Sequence, residues 1–107
     1  MTAARRLLSE EQLAVALREL SGWERRGDRL VRTFQFDDFQ QAFGFMAAAA
    51  LCAEKLDHHP EWSNVYARVE VQLTTHETPT GRPGLTRLDV ELAQAMDRLA
   101  AGFAAPS

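Results

Sequence analysis

The sequence predicts an α+β domain of two layers, a four-stranded antiparallel sheet with three helices on one face, in the order α-β-β-α-β-β-α. Three observations predict it. Apolar residues recur at helical spacing in three separate segments, each preceded by a residue able to cap a helix. Between them lie two pairs of short stretches rich in β-branched and aromatic residues, alternating apolar with polar. Short reversals join the members of each pair, so neighbours pair antiparallel without crossover helices. A chain of 107 residues has room for one domain, taken as 1–107 with a core from about 8 to 103. That is enough to bury a core without disulfides or a structural metal.

Residues 1 to 7 read as a frayed lead-in. The first helix then opens on Ser9 as N-cap, with Gln12 closing a capping box and Leu8 against Leu13 as a hydrophobic staple. Leu13, Leu17 and Leu20 follow at helical spacing, and Ser21-Gly22 ends the run. Trp23 to Arg26, Gly27-Asp28 and Arg29 to Phe36 read as a hairpin with a two-residue turn. In its second strand Leu30, Phe34 and Phe36 share one face, which Arg32 interrupts, as at an edge or an interface. Asp37 or Asp38 caps the central helix, with Gln40 or Gln41 in the box position, and the helix runs to about Asp57. Its apolar arc is wide. Phe39, Phe43, Met46, Ala47 and Ala50 trace one stripe; Ala42, Phe45, Ala49, Cys52 and Leu56 trace the next. A short strand near Trp62 to Val65, a reversal around Tyr66 to Arg68 and a longer strand to about Thr75 complete the sheet, since Val69, Val71 and Leu73 alternate with polar residues. A turn-rich loop runs from Thr78 to Gly84. The last helix starts at Thr86 as N-cap with Asp89 in the box position, carries Leu88, Leu92, Met96, Leu99 and Phe103 down one side, and frays over Ala104 to Ser107.

Fifteen acidic residues against twelve basic leave a net charge of -3, with the basic residues dispersed. Direct nucleic-acid binding, which depends on clustered Lys and Arg, is therefore not expected. No apolar run reaches the roughly 20 residues of a membrane-spanning helix, and no export signal follows Arg5-Arg6. The single cysteine, Cys52, reads as a small buried hydrophobe, consistent with a reducing cytoplasm.

The chemistry concentrates in Glu54-Lys55-Leu56-Asp57-His58-His59-Pro60-Glu61-Trp62. Two of the three histidines lie here, where the central helix must stop, because Pro60 turns His59 away from helical geometry. Glu54 precedes His58 by four residues, which puts carboxylate and imidazole on one helical face if the last turn extends that far. The third histidine, His76, comes at the end of the last strand. Imidazole titrates near neutral pH and so suits proton transfer. Taken singly, each residue also has a plainer role: a solvated helix end for His58 and His59, a helix cap for Asp89, a core or turn position for Trp62 and Tyr66. A zinc site is a further alternative, but adjacent histidines diverge at a helix end and no i, i+4 pair or Cys-x-x-Cys accompanies them.

Together these residues resemble the pterin-4a-carbinolamine dehydratases. The spacing is Glu54-x-x-x-His58-His59-Pro60, five residues, Tyr66, nine residues, His76, twelve residues, Asp89. Gly22-Trp23, Phe36-x-Asp38-Phe39, Ala42-Phe43-Gly44-Phe45-Met46, Asn64-Val65-Tyr66, Thr75-His76-Glu77 and Gly84-Leu85-Thr86 extend the likeness from about Leu8 to Leu99. The loop between His76 and Gly84 departs from it, being longer than is usual in that family.

The resemblance implies a lyase that dehydrates 4a-hydroxytetrahydropterin to the quinonoid dihydropterin, in the recycling of the tetrahydropterin used by aromatic amino acid hydroxylases. It implies no metal and no redox cofactor. His58, His59 and His76 are the implied catalytic residues, with His58 and His76 sharing the proton transfers. The implied substrate contacts are Glu54, Asp57, Pro60, Trp62, Thr74, Thr75 and Glu77, with Asp89 steadying His76 or capping its helix. A homodimer or homotetramer joined through sheet edges is also implied. The alternative is a protein-binding dimerisation module or transcriptional coactivator that needs no catalysis.

Overall fold

The computed structural model describes residues 5–103. Helix α1 (Glu10–Arg18) begins as its punctuation requires: the Gln12 N–H donates to the Ser9 hydroxyl at 3.1 Å and the Ser9 N–H donates to Gln12 Oε1 at 2.8 Å. Leu13 is buried within it, and Leu20 is buried just beyond its end. Strands β1 (Glu24–Arg26) and β2 (Arg29–Gln35) form the first hairpin. Gly27 takes a φ of 61°, while Asp28 stays at negative φ. That is the demand of a type II′ turn, which glycine meets without a Cβ clash.

Helix α2 (Phe39–Leu56) is capped by Asp38, whose carboxylate accepts from the Gln41 N–H at 2.8 Å. Strands β3 (Glu61–Val65) and β4 (Arg68–Leu73) make the second hairpin. Tyr66 in its turn lies at φ 51°, and the Asn64 amide braces it by donating to the carbonyls of Tyr66 and Arg68. Helix α3 (Arg87–Phe103) is the last element of the described residues.

The sheet order is β1-β2-β4-β3, antiparallel throughout. Register sets its two faces. Leu30 lies opposite Leu73, and Phe34 opposite Val69, so these side chains and Val71 form one buried layer beneath α2 and α3. Thr33, Glu70 and Ser63 are in register on the other face and are exposed. Phe45 of α2 drops onto that layer, its ring 4.7 Å from Phe34 and 5.1 Å from Phe36. Its full burial contributes about 2–3 kcal/mol. Gly44 lets α3 end against α2, since a Cβ there would lie 2.7 Å from the Phe103 ring.

Three local expectations change and one holds. Of the two α2 stripes, only the second faces inward: Ala42, Phe45, Ala49 and Ala53 are buried, whereas Phe43 is 57% and Leu51 75% exposed. A helix laid on one sheet and one neighbouring helix cannot bury a wider arc. Arg32 stands as expected at an edge and an interface, since β1 pairs with β2 only as far as Val31 and leaves Arg32 paired with β4 alone. It lies 4.3 Å above the Phe34 ring and bonds Asp97 of α3 at 2.7 Å, and the same carboxylate oxygen accepts from the Trp23 indole at 2.8 Å. Residues 5–8 are docked and not frayed, because Leu7 bridges Thr86 and the Leu8 N–H donates to the Leu85 carbonyl. Residues 1–4 and the expected fray at 104–107 lie outside the described residues. Strand β4 stops at Leu73, and Thr75 instead exchanges two backbone bonds with Gly84, which ties down the base of the long loop. Among the described residues no helix is long and apolar enough to cross a membrane.

Candidate active site

The site is built where α2 stops. Its terminus is a Schellman arrangement: the His58 N–H reaches the Ala53 carbonyl at 3.0 Å and the Asp57 N–H reaches that of Glu54 at 3.1 Å, with Asp57 left-handed at φ 52°, ψ 44°. Aspartate tolerates that region better than most residues. The reversal sends the two histidines to opposite environments. His58 is buried, at 5% exposure, while the His59 side chain stays largely in solvent.

All three histidines bond a carboxylate through the same ring nitrogen. His58 Nε2 is 2.6 Å from Asp89 Oδ1, His59 Nε2 is 2.9 Å from Glu54 Oε1, and His76 Nε2 is 2.9 Å from Glu61 Oε2. An ionised carboxylate only accepts, so in each pair the proton sits on Nε2 and the neutral ring presents Nδ1 as its free lone pair. Three imidazoles are thereby held in one tautomer.

The supports differ. Asp89 is fully buried, and its Oδ2 accepts from the Thr86 N–H at 2.9 Å and from the Thr75 hydroxyl at 2.8 Å. Thr75 has then spent its proton, so it is the Thr86 hydroxyl that donates to it across 2.7 Å. Asp89 thus caps α3, one of the two roles expected of it, and holds His58 at once; among the described residues it makes no hydrogen bond to His76, the other. Glu54 likewise pairs with His59 and not with His58, because the left-handed Asp57 ends the helix one residue too early for the i, i+4 relation. Glu61 carries His76 on one oxygen and the Arg29 guanidinium on the other, 2.9 Å away, and Arg29 also donates to Gln72 at 3.1 Å. The bond from His76, and after it the bond from Arg29, hold the Glu61 carboxyl below the usual carboxylate range against a small opposing effect of burial.

These groups surround an open cavity of about 300 Å³, at the small end for an organic ligand. Its wall includes Asp57, His58 and His59 from the end of α2, and Thr74, His76 and Glu77 from the segment after β4. Glu54, Thr75 and Asp89 stand behind the wall as hydrogen-bonding supports. Pro60 and Trp62 are not part of it; Trp62 sits half-buried on β3 against the core.

Two residues at the site were given no role there by the sequence. Arg5 also lines the cavity, its Nη2 3.7 Å from Asp57 Oδ2 and 3.5 Å from the Asp57 carbonyl. A cation there suits the negative end of α2. Only the docking of the lead-in brings it in, and no local pattern announces that. Glu61 was within reach of inference, since it lies in the histidine stretch at the start of a strand.

Comparison with known proteins places this arrangement among relatives. The sequence model described as pterin 4 alpha carbinolamine dehydratase matches residues 6–99. A protein of Bradyrhizobium sp. (strain ORS 278), provisionally named pterin-4-alpha-carbinolamine dehydratase, is 56% identical over 98 residues, covering 90% of this chain and 94% of the relative. One of Brucella ovis with the same provisional name is 50% identical over 99 residues, covering 91% and 98%. A crystal structure from Brucella melitensis, described as a transcriptional coactivator/pterin dehydratase, superposes with a TM-score of 0.80 at 49% identity, covering 88% of this chain and 98% of that one.

Proposed function

The chain belongs to the pterin 4 alpha carbinolamine dehydratase family, and from that membership we propose that it removes water from a 4a-hydroxytetrahydropterin, giving the quinonoid dihydropterin, by histidine acid–base catalysis. The observation that carries the reading is the set of three imidazoles on one cavity, each tied by Nε2 to a carboxylate and each left with Nδ1 free.

The reaction needs little else. As the bond from C4a to the hydroxyl oxygen breaks, a proton leaves N5, the C4a–N5 double bond forms, and a second proton joins the departing hydroxyl to make water. Nothing is oxidised or reduced, so one base and one acid balance the step. A neutral imidazole with bare Nδ1 serves as the base at N5, and a protonated one serves as the acid, its carboxylate partner balancing the charge. His58 and His76 share these transfers while His59 holds the substrate. Asp57 and Glu77 offer carboxylate acceptors to the polar edge of the pterin, and Thr74, whose hydroxyl donates to the Asp28 carbonyl at 2.7 Å, adds only a lone pair.

Spectrophotometric decay of freshly formed carbinolamine tests this. Purified protein should accelerate it, and His58→Ala or His76→Ala should lower kcat/KM by about 10²-fold or more. A folded double variant still working at the parent rate would remove the assignment.

A second reading has its own support. The exposed Phe39, Phe43 and Leu51 on α2 and the free edges of β1 and β3 offer surfaces for a homodimer or homotetramer. The Brucella melitensis relative is described as a coactivator as well as a dehydratase. Sedimentation equilibrium gives the outcome: self-association supports assembly, and a monomer at all concentrations argues against it.

A further inference from the structure

His76 is one of two exposed histidines at the cavity, and unlike that of His59 its carboxylate partner is itself bonded by an arginine. It follows the end of β4, and its side chain is 61% exposed. Among the described residues one hydrogen bond orients it, donated by its Nε2–H to Glu61.

Glu61 is in turn aimed from the sheet. Register brings Glu61 of β3 directly opposite Gln72 of β4, and Arg29 at the start of β2 closes over both, its Nη1 donating to Gln72 Oε1 and Glu61 Oε1. With one carboxylate oxygen taken by Arg29, the other points at His76 Nε2. An exposed ion pair of this kind adds little to stability, so its geometry is not explained by holding the fold together. We infer that Glu61 is a positioning residue for His76, and that Arg29, Glu61 and His76 form an orienting chain from the open face of the sheet to the cavity. Glu61 keeps the proton on Nε2 and turns Nδ1 to the substrate; Arg29 keeps Glu61 in place and ionised. The other charged groups around the cavity, Arg5, Asp57, His59 and Glu77, make no hydrogen bond to Glu61 among the described residues.

The kinetic part of this inference rests on the dehydratase reading; the orientation of the ring does not. Glu61→Ala, Glu61→Gln and Arg29→Gln are compared with the parent by ring-nitrogen NMR of His76 and by steady-state dehydration. In Glu61→Ala the parent's Nε2–H form should give way to a tautomer mixture, and kcat should fall about tenfold or more with KM within about twofold, as expected for a misdirected but present ring. Glu61→Gln should keep much of the tautomer, since its amide oxygen still accepts, and recover part of kcat. Arg29→Gln should have the smallest effect. An unchanged His76 tautomer in Glu61→Ala would overturn the inference whatever the rate did, and so would a changed tautomer with kcat intact. If the parent itself fails to dehydrate carbinolamine while the tautomer still shifts, the positioning stands and the dehydratase reading falls.

Discussion

His58 with Asp89 and His76 with Glu61 are the same chemical pair in opposite settings. The first is buried, and Asp89 also answers Thr75 and the N-terminus of α3. The second is exposed and, among the described residues, answers only Arg29 besides its histidine. In the buried pair, orientation comes from packing and a filled hydrogen-bond network, so chemistry and stability are coupled. In the exposed pair, a single carboxylate orients the ring, so the two can be separated by mutation. One cavity thus joins a rigid imidazole to an adjustable one.

The strongest way to break this contrast is Asp89→Ala. It strips three donors of their common acceptor inside the core, so it should cost about 3–5 kcal/mol of stability by urea denaturation and abolish dehydration together. A fully stable Asp89→Ala protein would mean the buried pair is not structural. Next comes His76→Ala, which should lower kcat/KM by about 10²-fold while leaving the urea midpoint within the equivalent of about 0.5 kcal/mol. Loss of stability there comparable to Asp89→Ala would erase the distinction. Glu54→Ala, which frees the exposed His59, should change kcat/KM by only a few-fold, about the scale of a lost surface pair; a larger loss would give His59 a share in the proton transfers.

The smallest effect is in pH dependence. Glu61 has a folded-state carboxyl held below its unfolded value by His76 and Arg29. Its contribution is therefore complete above the unfolded carboxylate range and fades as pH falls through the folded value. Carboxyl-carbon NMR should find Glu61 titrating below an ordinary glutamate, and Arg29→Gln should move it upward. No movement would mean that Arg29 does not act on Glu61.

Features that close within a few residues were legible in advance. The capping box at Ser9 and Gln12, the Asp38 cap, the Thr86 and Asp89 cap and the Gly27-Asp28 turn all stand as the residues suggest, because each satisfies its own backbone groups locally. The histidine set was legible through its spacing. The partners were not. Glu54 could have served either neighbouring histidine, and a left-handed residue at 57 decided for His59. Asp89 was visible as a cap, but its second oxygen facing His58 depends on how α3 lies along α2. Arg5 enters only through the Leu7 and Leu8 contacts with Thr86 and Leu85.

The sequence alone determined the elements, their order, and the presence of three imidazoles with carboxylates enough to serve them, since periodicity, caps and turn chemistry act over one or two turns of chain. Tertiary structure alone decided which carboxylate each imidazole received and which of them was sealed from water. Those pairings cross 5, 15 and 31 positions of sequence, and a hydrogen bond at such separations exists only after helix ends and strand registers have been fixed by burial elsewhere.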